Sequence, residues 1–261
     1  MSPAAQRILF STIQRTNSLV FLILCVTSVS IQAKSSSGRV VCREDISLEH
    51  RNKLSSSLRQ ITGVADLFFD DNGALNFNPS VASGGSVTAR SLLQKAVFGS
   101  NAIVIEDASA RSDVVFARVV PAIWRHHAGL NARAFVVLID FADFNHLIGD
   151  DPALRAFDVG WALLHELDHV VENSADPNSA GTVGECEAHL NRMRQECGLP
   201  QRADYFHTLW PAAGINDFKT QFVRLSFVQP ADAENPKKQY WLIWDARLVG
   251  GIEETRVATL R

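Results

Sequence analysis

His165 and His169 stand four residues apart in the stretch WALLHELDHVV, residues 161–171. In a helix, positions four apart share a face, so both imidazoles would point to one spot. Two nitrogens at about 2 Å from a common point are what a helix offers a tetrahedral zinc. Glu166 follows His165 directly and is rotated aside, so its carboxylate can reach a water at the metal without ligating it. Zinc brings such a water to a pKa of about 7, and the carboxylate takes its proton. The chemistry expected is hydrolysis, with His165 and His169 as metal ligands and Glu166 as the catalytic base.

A third ligand is needed, and three residues compete for the place. After the polar loop ENSADPNSAG comes GECEAHLNRMR, which Gly198 and Pro200 end, so a helix over about 183–197 is expected. Glu185 and Glu187 flank its apolar stripe on opposite sides, and His189 lies beneath Glu185. Thr182-x-x-Glu185 also reads as a capping box, which would turn the Glu185 carboxylate onto backbone. Glu187 has a solvated pairing open to it with Arg194 or Arg192.

The His-Glu-x-x-His spacing is the signature of zinc peptidases. HELDH followed by GECEAHLNRMR resembles the gluzincin arrangement, in which a glutamate on a second helix completes the zinc shell. That resemblance implies Glu185 as the third ligand, through its Glu-x-x-Ala string, and leaves His189 where an Asp or Asn normally supports the shell. Glu185, Asn191, Arg194, Gly198, Arg202 and Tyr205 also form a string similar to that of small zinc peptidases among bacterial effectors and toxin domains. The resemblance covers roughly residues 150–206. Gly181-Thr182 is similar to the aspzincin Gly-Thr-x-Asp, but Gly184 occupies the aspartate's place. No Gly-x-x-His follows His169, which excludes a metzincin. Tyr205 and His207 are candidates for stabilising an oxyanion.

Elements must position these groups. Asp151-Pro152 reads as a cap and first-turn proline opening a helix that runs through the histidines. The continuously apolar AFVVLI, residues 134–139, is expected to be a strand buried on both faces. Residues 101–106 and 113–120 read as further strands, 86–98 as a helix capped by Ser86, and 48–58 as another. Asn72-Gly73 within LFFDDNGALNF signals a hairpin. Residues 217–228 and 238–249 read as a second, C-terminal hairpin, whose aromatic residues are expected to be core.

The chain has 261 residues, of which 46% are hydrophobic and 20% charged, so it is long enough and apolar enough for a real core. A net charge of −3 argues against a nucleic-acid surface. Arg7 and Arg15 precede the apolar run Leu19 to Ile31, which ends at Gln32-Ala33; this describes a secretory signal peptide over residues 1–33. The run is shorter than the roughly 20 residues that span a bilayer, so no stable membrane anchor is expected once the leader is removed. Taking Arg7 and Arg15 from the 25 basic residues leaves 23 against 28 acidic ones. Cys186 and Cys197 on one helix would sit about 16 Å apart, too far for a disulfide, whereas Cys42 could pair with either.

These readings combine into an α+β fold: a single zincin-like domain over 34–261 with a mixed or antiparallel sheet. It would comprise a small β-rich N-terminal part (34–130), a metal-site core (131–210) and a C-terminal hairpin (211–261). The expected protein is a secreted or periplasmic zinc metallopeptidase acting on a peptide or protein substrate. The alternative is a non-catalytic exported module with a structural or degenerate metal site.

Overall fold

Four short apolar runs assemble the sheet beneath the histidine helix. The computed structural model describes residues 39–109, 111–122, 133–209, 221–231 and 236–250. Strand β1 (Val40–Cys42) begins the sheet. Helix α1 (Leu48–Thr62) follows, capped by the Ser47 side chain and ended by Gly63 at φ 71°. The hairpin expected at Asn72-Gly73 is present as β2 (Phe68–Phe69) and β3 (Leu75–Asn76). The Asp70 carboxylate accepts the backbone N–H groups of Asn72 and Ala74 across its turn. Ser86 then caps α2 (Val87–Phe98), as its position before the apolar period predicts.

Strands β4 (Ala102–Asp107), β5 (Ala117–Ala122) and β6 (Ala134–Ile139) complete the sheet in the order β1-β4-β6-β5. β1, β4 and β6 run parallel, and β5 is an antiparallel edge strand. β6 reads AFVVLI because both of its faces are covered: Val137 and Ile139 enter the main core, and Leu138 a smaller cluster with Ala108 and Val114. The N-terminal part expected to be β-rich also carries the two helices α1 and α2. These helices and three of the four sheet strands share one core with the histidine helix, since Leu54, Leu58, Leu92 and Leu93 lie in one buried cluster with Leu163, Leu164 and Leu167.

The helix expected from residue 151 onward is broken in two: α3 (Asp151–Arg155) and α4 (Val159–Val171). Asp158 breaks it, since its carboxylate accepts the N–H groups of Gly160 and Trp161 and so caps a new helix. Ser57 of α1 donates to the same carboxylate at 2.6 Å. Gly160 permits this approach, for a Cβ there would lie 2.1 Å from Ser57 Oγ.

A second, antiparallel sheet begins before the histidine helix and is completed after α5 (Gly184–Glu196). It contains β7 (Ile148–Gly149), β8 (Gln201–Arg202), β9 (Thr208–Leu209), β10 (Phe222–Gln229) and β11 (Lys238–Asp245), with a short α6 (Ala246–Val249) continuing where a strand was expected. β10 and β11 form the expected hairpin, and Trp244 and Phe227 from them anchor a second apolar core. Mixed α+β architecture is thus observed. Cys42, Cys186 and Cys197 are all free, so Cys42 pairs with neither. The leader-like residues 1–33 lie outside the described residues, among which no helix is long and apolar enough to cross a membrane.

Candidate metal centre

Helix α4 brings the two imidazoles together as their spacing requires. Their Nε2 atoms stand 3.1 Å apart, with the rings nearly perpendicular. Just beyond the helix, Asn173 adopts φ 57°, a left-handed conformation that asparagine tolerates, and turns the chain back. The Ser174 carbonyl then accepts the His169 Nδ1–H at 2.8 Å, which leaves Nε2 as the lone-pair donor. Two residues further, Asp176 closes over the pair: Oδ1 lies 3.3 Å from His165 Nε2 and Oδ2 lies 3.5 Å from His169 Nε2.

Ligand atoms held at about 2.0–2.1 Å by a tetrahedral zinc stand roughly 3.3 Å from one another. The separation of the two nitrogens, and that of each nitrogen from one oxygen of Asp176, are of that size. Asp176 Oδ1 is also buried with no hydrogen-bond partner among the described residues, an orphan acceptor that a cation would satisfy. His165, His169, Asp176 and Cys186 form a group that can hold a metal ion. Cys186 stands apart from the other three, for its Sγ lies 3.3 Å from Nδ1 of His165, the ring nitrogen facing away from the convergence point.

Glu187 Oε2 lies 3.6 Å from the same Nδ1. Its carboxylate is fully buried between the guanidinium groups of Arg194 and Arg202, so the expected solvated pairing with Arg194 is a buried one. These partners set the electrostatics. Burial opposes ionisation of Glu187, but Arg194 and then Arg202 outweigh it and hold its pKa well below the usual carboxylate range. Burial likewise opposes protonation of His165, yet Asp176, Cys186 and Glu187 together raise its pKa well above the ordinary value. Asp176 is the mirror case: the two histidines overcome burial and depress its pKa.

Glu166 is buried beside the pair, and its Oε2 accepts the Val119 N–H of edge strand β5 at 2.8 Å. Burial raises its pKa, partly offset by His165 and His169. Tyr205 donates its hydroxyl to Asp176 Oδ2 at 2.7 Å, and its ring stacks on His165. His207 sits against Trp244. All of these line one cavity of about 640 Å³.

The structure therefore brings His165, Glu166, His169 and Tyr205 together but leaves Glu185 out. Helix α5 turns Cys186, Glu187 and Leu190 toward the core, which rotates Glu185 into solvent. It does not cap either: α5 has no side-chain cap, and Thr182 donates to the Ser179 carbonyl instead. His189 pairs with the buried Asp168 at 3.0 Å, a support for α4 rather than a ligand. The carboxylate missing from the sequence reading is Asp176. Its signal was an acidic residue before Pro177, one short loop after His169, where a left-handed asparagine can fold the chain back. No protein-family model, curated protein or solved structure matches the chain.

Proposed function

We propose that the chain is a zinc-dependent hydrolase acting on peptides, with His165, His169 and Asp176 holding the metal. The observation that carries this reading is the convergence of two imidazole nitrogens and one carboxylate at the edges of a zinc tetrahedron. Three donors leave a position open, as catalytic zinc sites do. Zinc held there would serve as a Lewis acid toward water and a carbonyl oxygen. Glu166 takes the water's proton on its carboxylate and returns it to the departing amine; its raised pKa brings acid and base forms closer in energy at neutral pH. Tyr205, which donates to Asp176 here, can swing its hydroxyl toward a developing oxyanion.

A peptide substrate suits the edge strand. Among the described residues β5 has one neighbour in its sheet, and Val119 N–H points away from that neighbour to Glu166. An extended chain laid along this edge would run past the base, the geometry of strand addition. Three parallel strands with an antiparallel edge strand, under a helix bearing the His pair, resemble a zincin core.

Elemental analysis and peptide hydrolysis test the reading. We expect about one zinc per chain, lost on His165→Ala, His169→Ala or Asp176→Ala and kept in Glu185→Ala. Glu166→Gln should keep zinc and fold while activity falls about 10²–10⁴-fold, the usual loss with a positioned base. A structural site closed by Cys186 is the competing reading, favoured by the thiol's membership of the group. Cys186→Ser separates the two: zinc and hydrolysis persist if the site is open, and zinc is lost if the thiol closes it.

A further inference from the structure

We propose that Phe116 is a specificity-determining residue, whose ring joins those of Phe157 and Trp244 to receive a large apolar side chain beside the bond to be cut. The inference rests on the hydrolase reading and begins from a backbone outlier. Phe116 has φ 62°, a conformation that bulky side chains rarely adopt. Ala117 N–H donates to the Val115 carbonyl at 2.8 Å across it, closing a γ-turn of the strained, positive-φ kind.

The surroundings hold this turn from both sides. Asp143 Oδ2 accepts the Phe116 N–H at 2.8 Å, and Asp140 N–H donates to the Phe116 carbonyl at 2.9 Å. A residue whose only task is to fill core needs no such conformation. Backbone strain that the neighbours over-determine gathers at ligand clamps and active sites.

The turn aims the ring. Phe116 meets Phe157 edge-on at 5.0 Å and Trp244 edge-on at 5.2 Å. All three line the cavity that also contains His165 and Glu166. The chain leaves Phe116 directly into β5, where Val119, three residues on, touches the candidate base. A peptide running along β5 thus presents a side chain to this aromatic wall next to its reacting carbonyl.

The test compares phenylalanine hydroxamate with alanine hydroxamate on the zinc-loaded protein, reading affinity from intrinsic tryptophan fluorescence or calorimetry. Phenylalanine hydroxamate should bind at least about tenfold more tightly, as apolar pockets discriminate side chains by 10–200-fold. Phe116→Ala should reduce that ratio toward one, and Phe116→Leu should keep most of it. If Phe116→Ala does not fold, Phe157→Leu probes the same wall and should lower the ratio. Equal affinities in the wild type, no binding, or an unchanged ratio in the folded variants overturns the proposal. Cleavage of a peptide library is read in parallel: discrimination without cleavage overturns the hydrolase reading alone, and cleavage without discrimination overturns the pocket alone.

Discussion

At the scale of single residues, three carboxylates near the histidines have three different tasks, set by what faces each. Asp176 faces two imidazoles, Glu166 faces a backbone N–H, and Glu187 faces two guanidinium groups. Glu187 is the one whose loss should cost the fold most. Removing one partner of a buried ion pair leaves the other charge uncompensated, at a cost of about 3–5 kcal/mol. Glu187→Gln should therefore lower unfolding stability by about that amount in denaturant titration, because Arg194 stays buried. Glu185→Ala, one residue away on the solvent side, should change stability by no more than about 0.5 kcal/mol. The contrast checks the rotation of α5, and equal effects would contradict it.

At the scale of elements, the positioning of the site depends on how closely α4 lies against α1. Gly160 and Ser57 meet where a Cβ would stand 2.1 Å from Ser57 Oγ, so Gly160→Ala must push the helices apart or displace the Ser57–Asp158 bond. Overpacking of this kind costs roughly 1–3 kcal/mol, more than the helix propensity an alanine gains. A lower Tm for Gly160→Ala, partly restored by Ser57→Gly, is the expected result. This contact was not legible in the sequence, because a helical glycine declares its freedom but not its neighbour. Periodicity did declare β6, α2 and the site-bearing turn of α4, where a single local pattern decides the outcome. The break at Asp158 was missed because apolar spacing continues through Phe157 and Trp161 while the capping carboxylate lies between them. The candidate third donor is hidden for a related reason: Asp176 sits in a loop, and loops have no period to read. Only the backbone turn at Asn173 gives its position meaning.

At the scale of the whole molecule, the candidate site lies where two apolar cores adjoin. His165 and Glu166 come from the helix packed on the four-stranded sheet, while Phe116, Phe157 and Trp244 belong to the core of the second sheet. Asp143 stands at that seam, buried, with its carboxylate on the Phe116 N–H. Burial pushes its pKa from 3.8 up to about 6, the Phe116 N–H opposing and Asp140 adding to the rise. The sign of the stability effect follows from linkage. A carboxyl whose pKa is raised by folding favours the folded state while protonated. That contribution is complete below about pH 4 and is lost as pH rises through about 6. Asp143→Asn keeps an acceptor for the Phe116 N–H but cannot ionise. The variant should therefore melt at a higher temperature than the wild type above about pH 7, and the difference should close as pH falls below about 4. Calorimetric melting across that range checks it. A difference that grows toward acid would mean that the ionised carboxylate holds the γ-turn, with burial the lesser influence.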